Sequence, residues 1–402
     1  MDEGKEISQT ELPKNTSGNS LSTDDFQKAF GENFSEAIDI NTWHLGENLA
    51  DIFPRIEEEM FNAKSDENRN HKTIREIIFP RIKEKALVPF AGLHDDPKDV
   101  KYLLDKIQKG FLFNGAITAS GSTHFTYDTV PISITQIGVC LINYEKQHGS
   151  YSHRLFRRDL RFKSDDPVQE ALDLIEKRRG DEGDGDKRSK LSTLAIRGIK
   201  AYTERALLLD KKDSKSKWIL GSGTPIPYEL MTGFWGSQKE LKDKSIALMS
   251  RMVLEHQRFV YVQSCEKNQQ LWTLGNALKP FEFLIIDTIA DDLNRRVETG
   301  GTRLKIRDDY KNFANDVGSK VAVGLYKISN QAEPRIFYGH VDHIRTAALV
   351  AMADSVFQLY SGNPMLLDLA SRLCQMTFNS NDLITSIQQS SLRAEAKLRT
   401  IA

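Results

Sequence analysis

The stretch from residue 111 to residue 163 decides the fold class, because it holds three β-type runs: FLFNGAITA (111–119), ISITQIGVCLINY (132–144) and SHRLFRRDLRFK (152–163). Each run is rich in β-branched and aromatic residues, and the links between the runs are of hairpin length. Strands that follow one another in this way pair as an antiparallel meander. The stretch therefore predicts three adjacent antiparallel strands.

Downstream of this meander, helical and strand patterns alternate. Apolar residues recur at helical spacing over 191–209, 239–256, 343–360 and 364–376. Between them lie the strand-like runs WILG (218–221), FVYVQSC (259–265), FEFLIID (281–287), VAVGLYKI (321–328) and RIFYGHV (335–341). An RNase H-like sheet would have this order, but many folds share it. By itself the order predicts only a mixed α/β class, with flanking helices and a helical N-terminal region.

Composition divides the chain into four segments. Residues 1–23 are polar and rich in Ser, Thr, Asn and Gly, which predicts a disordered tail. Residues 24–110 carry apolar side chains at helical spacing, which predicts a helical N-terminal region. Residues 111–378 are predicted to form the RNase H-like domain, and residues 379–402 a polar C-terminal helix or tail.

The charge balance gives no global attraction to nucleic acid, because 55 Lys and Arg residues oppose 56 Asp and Glu residues. Any DNA binding must come from a local patch. The three cysteines, Cys140, Cys265 and Cys374, have no paired spacing, which indicates buried free thiols in a reducing compartment. No apolar run approaches the roughly 20 residues that a membrane helix needs. We therefore expect a cytoplasmic protein without a membrane partner.

Several elements from about residue 113 to residue 376 match a known family in their order and spacing. The strand GAITA runs into ASGS at 119–122, and WILGSG covers 218–223. They are followed by FVYVQSCEK (259–267), IADDLNRRVETGGTR (289–303), VAVGLYKISNQAEPRIFYGHV (321–341) and SGNPMLLDLASRLC (361–374). In these elements the chain resembles the NurA family of DNA-end nucleases. The resemblance implies an RNase H-like nuclease that forms a homodimer, uses manganese or magnesium, and works with HerA, a hexameric DNA-translocating ATPase.

The positions that match the family's metal site carry other residues in this chain. Ser120 and Ser222 stand where the family has aspartates, and Ser371 stands where it has a histidine. Cleavage of a phosphodiester with two metal ions requires converging carboxylates, and a serine hydroxyl is a neutral and weak ligand. The neighbouring glycines and proline persist. The resemblance therefore predicts that the nuclease site has been lost.

The family also has a glutamate on the helix between its two aspartate-bearing strands. The corresponding stretch, LSTLAIRGIKAYTERALL, offers Ala195, Ile196 and Arg197 near that place, whereas Glu204 comes about two turns later. The sequence thus predicts that this ligand is missing as well.

Four other acids, near predicted strand ends, are candidates for a displaced metal site: Asp128, Glu145, Asp210 and Asp287. Acids at strand carboxyl ends commonly line α/β active sites. The competing interpretation is solvated carboxylates at loop edges, and nothing in the sequence brings the four together. Such a site would take Mn or Mg; without it, no cofactor is expected.

Two further motifs each have a structural interpretation and a functional one. His340 and His343 have a spacing that permits metal ligation, but capping or surface roles are favoured, because no zinc-type partner accompanies them. The segment GSGTP (221–225) resembles a phosphate-binding loop but lacks the lysine of a P-loop, so we interpret it as a tight turn.

The run SHRLFRRDLRFK carries the main nucleic-acid signal. Period-2 alternation places Arg157, Arg161 and Lys163 on one face and turns Phe156 towards the core. A row of cations can follow DNA phosphates, and Lys267 is a further candidate contact. The competing interpretation is the solvated outer face of a sheet.

Three functional hypotheses follow. The favoured one is a DNA-engaging subunit with lost or weakened catalysis, which partners a HerA-type translocase in DNA end processing, DNA repair or anti-phage defence. The alternative is an active metal-dependent nuclease that uses the displaced carboxylates. The third is an interaction protein with no role on DNA.

Overall fold

A computed structural model describes residues 23–43, 53–86, 88–129, 132–158, 193–231, 239–266, 268–299 and 304–396. The chain divides into two compact units, Met1–Asn68 and Arg69–Ala402. Residues 1–22, which belong to the tail predicted at 1–23, lie outside the described residues.

The first unit contains helix α1, which spans Thr23–Phe30, and helix α2, which spans Phe34–Ala37. Helix α3, Phe53–Thr73, begins in the first unit and ends in the second. The ring of Phe26 packs on Phe30 and Phe34, with centroids 4.6 and 5.2 Å apart. Aspartate Asp39 caps a 3₁₀ turn at Ile40–Thr42 by accepting a hydrogen bond from the Asn41 amide.

The second unit is built on one nine-stranded mixed sheet with the order β1-β7-β8-β9-β6-β5-β2-β3-β4. The strands are β1 Gly92–His94, β2 Ile117–Asp128, β3 Ile132–Ile142, β4 Gln147–Arg158, β5 Trp218–Ser222, β6 Phe259–Ser264, β7 Glu282–Thr288, β8 Val321–Lys327 and β9 Arg335–His340. Strands β2, β3 and β4 form the predicted antiparallel meander, and β5 and β6 join it in parallel. The predicted RNase H-like mixed sheet is therefore confirmed.

Strand β2 differs from its prediction at both ends. It begins at Ile117 because residues Gln108–Leu112 form a π-helical turn, and it continues to Asp128. The polar continuation remains a strand because it pairs with β3 along its whole length, from Ala119 opposite Ile142 to Asp128 opposite Ser133. Ser120 thus lies within a strand rather than in a turn after it.

Helices cover both faces of the sheet. The helices of the second unit are α4 Phe79–Lys85, α5 Pro97–Ile107, α6 Thr193–Asp210, α7 Lys239–Ser250, α8 Gln269–Asn276, α9 Ala290–Thr299, α10 Leu304–Asp316, α11 Ile344–Ser355, α12 Met365–Thr377 and α13 Ser380–Arg393. Helices α5, α11 and α12 pack on one face, and α6, α7, α9 and α10 pack on the other. Alternate residues of the central strands therefore enter two separate cores. No described helix is long and apolar enough to cross a membrane.

A buried carboxylate joins three of these elements. Asp354, near the end of α11, is fully buried and accepts a hydrogen bond from the hydroxyl of Tyr144, which follows β3. Its other oxygen accepts the backbone N–H of Leu366 in the first turn of α12, at 2.8 Å. Burial raises the pKa of Asp354 from its ordinary value of 3.8 to about 6, although both hydrogen bonds oppose the shift.

This shift predicts a stability that falls as pH rises from about 4 to about 6, because there the folded chain retains a proton that the unfolded chain has lost. At about 1.4 kcal/mol per pKa unit, the group lowers the free energy of unfolding by on the order of 3 kcal/mol across that window. The variant Asp354→Asn should lose this slope while keeping both hydrogen-bond partners. Urea unfolding at several pH values measures it, with the exposed Asp105→Asn as control. An unchanged slope in Asp354→Asn would contradict the assignment.

Candidate functional site

A cleft of about 460 Å³ opens beside the carboxyl end of β5. Open α/β sheets bind ligands outside the carboxyl ends of their strands, so the position is typical of a functional site. The cleft is lined by Ser120, Gly121 and Ser122 of β2, Arg197, Lys200, Ala201, Glu204 and Arg205 of α6, Ser222, Gly223 and Thr224 at the end of β5, Pro227, Glu229, Gln263 of β6 and Ser371 of α12.

The fold brings together in this cleft the three serines that the resemblance matches to metal-site positions. Ser120 lies within β2 and is only 3% exposed, Ser222 ends the neighbouring parallel strand β5, and Ser371 lies in α12. They are 102 and 149 residues apart along the chain. None of their hydroxyls forms a hydrogen bond with another residue in the described part of the chain. The cleft therefore offers unused hydroxyl donors and acceptors.

Gly121 allows α12 to reach this position. A Cβ atom on Gly121 would lie 2.3 Å from the carbonyl carbon of Ala370 and 2.4 Å from the backbone nitrogen of Ser371. The helix backbone thus rests directly on β2, as only glycine permits. This contact places Ser371 at the rim of the cleft.

Helix α6 contributes a charged face to the cleft. Arg197, Lys200, Ala201 and Glu204 follow one another at i, i+3, i+4 and i+7, so they share one side of the helix. The resemblance matches the family's helix glutamate to residues 195–197, and Glu204 comes about two turns later. The structure places Glu204 in the cleft, because the helix presents the face from 197 to 204. That spacing was the signal that could have identified Lys200 and Glu204.

The buried guanidinium of Arg205 forms one wall of the cleft. It donates hydrogen bonds to the backbone carbonyls of Ala201 at 2.7 Å, Pro225 at 3.0 Å and Thr224. It also lies over the ring of Tyr261, 4.9 Å from the centroid. These contacts hold the turn that follows β5, in which Gly223 has a φ of +83°. The predicted tight turn at 221–225 agrees with this conformation.

The donors in the cleft do not fit a pair of divalent metal ions. Among the described residues, the carboxylates that line it are Glu204 and Glu229, and Glu229 is 3.6 Å from the guanidinium of Arg197. Magnesium and manganese prefer several carboxylate oxygens, whereas the three cations of the cleft repel them. In the described ranges, no group of three or more His, Cys, Asp or Glu residues is placed to hold a metal ion.

None of the four displaced acids lines the cleft. Asp128 ends β2, and Glu145 lies in the turn after β3, 3.6 Å from Lys215. Asp210 ends α6 and pairs with Arg251 at 2.6 Å. Asp287, in β7, accepts the backbone N–H of Thr288 at 2.8 Å. The three acids with described contacts thus have local partners of their own.

Of the two histidines, His340 has the favoured capping role, whereas the side chain of His343 forms no capping hydrogen bond. His340 ends β9 and accepts the backbone N–H of Asp342 at 3.2 Å through Nδ1, which caps the 3₁₀ turn Val341–His343. Burial lowers the pKa of His340, so the ring is neutral at pH 7 and able to accept this bond. The cysteines are buried free thiols, as predicted.

The predicted DNA-contacting cations are only partly described. Arg157 belongs to β4, which forms one edge of the sheet, whereas Arg161, Lys163 and Lys267 lie outside the described residues. Phe156 was expected to face the core, but it is 65% exposed. The expectation was wrong because an edge strand has a neighbour on one side only, and period-2 alternation does not reveal which strand is at the edge.

Comparisons with known proteins give structural similarity only. No protein-family description matches the chain, and no curated protein matches it by sequence. Its fold is similar to that of the NurA nuclease from Sulfolobus solfataricus, with a TM-score of 0.46 and 10% identity over 87% of this chain and 98% of that one. NurA bound to dAMP and manganese gives a TM-score of 0.35 and 8% identity, covering 71% of this chain and 92% of that chain. The endonuclease V from Bacillus subtilis gives a TM-score of 0.30 and 8% identity, covering 74% of this chain and 95% of that chain.

Proposed function

We propose that this chain is a DNA-engaging subunit whose nuclease chemistry has been lost or weakened, and that it partners a HerA-type hexameric translocase. DNA end processing, DNA repair and anti-phage defence are the processes that such a complex would serve. The observation that carries the proposal is the composition of the cleft. Serines 120, 222 and 371 line it together, at positions where the resemblance implies two aspartates and a histidine.

The chemistry of phosphodiester cleavage explains why this composition matters. Two-metal hydrolysis needs anionic ligands that hold the ions about 4 Å apart and lower the pKa of a bound water. Neutral hydroxyls supply no charge for this purpose, and the cations of α6 oppose metal binding. A chain with this cleft can still contact DNA through hydroxyl and cationic groups, which suits a guiding role.

The purified chain should therefore not degrade linear DNA in the presence of manganese or magnesium. Release of labelled nucleotides over time measures this, with an active nuclease as positive control. Metal-dependent cleavage that co-purifies with the chain and disappears in a point variant would contradict the proposal.

The same assay addresses the alternative, an active metal-dependent nuclease. Two carboxylates do line the cleft, and Asp128 and Asp287 remain displaced candidates. Activity lost in Glu204→Gln would locate catalysis in the cleft. Activity lost in Asp128→Ala or Asp287→Ala would locate it in a displaced site. Activity that none of these variants changes would indicate a contaminant.

The assembly is a further part of the proposal. The resemblance supports a homodimer, and two-fold symmetry would set two copies of any DNA-contacting surface around one duplex. The row formed by Arg157, Arg161 and Lys163 is the proposed DNA track. Light scattering of the chain, alone and with a HerA-type ATPase, tests the assembly against the 45.6 kDa monomer mass.

A further inference from the structure

The cleft contains a buried positive charge that no carboxylate neutralises directly. Arg205 is 2% exposed, and backbone carbonyls accept hydrogen bonds from its guanidinium. Among the described residues it forms no ion pair. A guanidinium has five N–H donors, so donors remain beyond the three bonds that hold the side chain. A buried charge without a counter-ion favours an anion in the adjacent space.

The serine hydroxyls are a second, independent feature. The side chain of Ser120 is almost fully buried, lines the cleft and has no hydrogen-bond partner among the described residues. The hydroxyls of Ser122, Ser222 and Ser371 likewise have no hydrogen-bond partner among the described residues. Ser122 and Ser371 are partly buried and Ser222 is exposed, so their hydroxyls are open to the cleft rather than enclosed in the core. Four hydroxyls that no described protein group occupies are therefore available to a ligand with several polar atoms.

The charged side chains of the cleft determine the sign of the charge that this ligand carries. Arg197 and Glu229 pair with each other, which leaves Lys200 and Arg205 against Glu204 and gives the cleft a net charge of +1. In the described structure Lys200 has no ion-pair partner. A hydroxyl can donate as well as accept, so the serines, the ammonium and the guanidinium can all donate to one anion.

We propose that this cleft binds a single phosphate group of a nucleic acid directly, without a metal ion. Phosphate oxygens are strong acceptors for charged donors and for hydroxyls, and they accept from several directions at once. The volume of about 460 Å³ accommodates a nucleotide-sized group. The choice of nucleic acid as the source of the phosphate rests on the proposed function. The binding chemistry rests on the serines, Lys200 and Arg205 alone.

Calorimetric titration of inorganic phosphate into the full chain in EDTA tests the chemistry. We expect saturable binding that EDTA does not weaken. Lys200→Gln should weaken it about tenfold, because a charge-assisted hydrogen bond is lost. Lys200→Arg should retain most of the affinity, and Glu204→Gln should tighten binding by removing a repelling carboxylate. The exposed Lys109→Gln, an identical change outside the cleft, should have no effect.

Two outcomes of this titration would contradict the proposed phosphate site. One is the absence of phosphate binding in EDTA, and the other is equal weakening by Lys200→Gln and Lys109→Gln. Neither depends on cleavage. Manganese-dependent nuclease activity would contradict the proposed function but leave binding in EDTA intact, so the two failures are distinguishable.

Competition with short single strands identifies the source of the phosphate. Oligonucleotides of one sequence, with either a 5′-phosphate or a 5′-hydroxyl, should displace inorganic phosphate. Stronger competition by the 5′-phosphate form assigns the cleft to a terminal phosphate, and equal competition assigns it to an internal one. Failure of both strands to compete overturns the assignment to nucleic acid.

Discussion

Gly121→Ala is expected to lower the free energy of unfolding by about 3 kcal/mol, at the upper end of the usual cost of overpacking a core. The added Cβ would lie 2.3 Å from the carbonyl carbon of Ala370, 2.4 Å from its oxygen and 2.4 Å from the nitrogen of Ser371. These are backbone atoms, so no side-chain rotation relieves the clash. Helix α12 must move away from β2, and it must carry Ser371 away from the cleft.

Urea unfolding followed by circular dichroism measures this effect. The matched control is Gly110→Ala, because no atom lies within 4 Å of the added Cβ there. Gly110 belongs to a helical turn, so alanine should be neutral or stabilise by about 0.5–1 kcal/mol. Equal stability of the two variants would show that α12 does not rest on β2 at this point.

Arg75→Met is expected to cost about 3–5 kcal/mol, because it leaves a buried carboxylate without its partner. The guanidinium of Arg75 donates to both oxygens of Glu282, at 2.5 and 2.9 Å, and Glu282 is 2% exposed. The same side chain also donates to the carbonyl of Ala277 at 2.9 Å. The hydrogen bond to Glu282 raises the pKa of Arg75 despite its partial burial, so the guanidinium is charged throughout the ordinary pH range.

A double-mutant cycle isolates the charge from the packing. Adding Glu282→Gln to Arg75→Met removes the unpaired charge, so the double variant should recover a large part of the lost stability. The exposed pair of Lys109 and Asp105, at 2.8 Å, is the control, and Lys109→Met should cost less than about 1 kcal/mol. Additive effects of the two substitutions at 75 and 282 would contradict a coupled buried pair.

Much of the fold was predictable because the relevant signals are local. Alternating and helical periods located the meander and the later strands and helices. The run VAVGLYKI became β8 and RIFYGHV became β9, and the two pair as an antiparallel ladder. The serines at 120, 222 and 371 were also noticed from the sequence, because the resemblance rests on short local motifs.

The errors have a common cause. The sequence analysis ended the first strand near Ala119, but pairing with β3 extends it through the polar residues to Asp128. It placed Phe156 in the core, but the position of β4 at the edge of the sheet exposes that ring. In each case a neighbouring strand decided the outcome, and its position is not encoded in the local pattern.

The sequence by itself determined the α/β class and the order of strands and helices, and the resemblance singled out the serines at 120, 222 and 371. These properties depend on side-chain periodicity and on residue identity at single positions. Only the tertiary structure decided which side chains share the cleft. Ser120, Lys200, Arg205, Ser222 and Ser371 meet there because parallel β2 and β5 align their residues, α6 turns one face towards them, and Gly121 lets α12 approach. Convergence of this kind arises from helix and strand packing between distant segments, which no local period specifies.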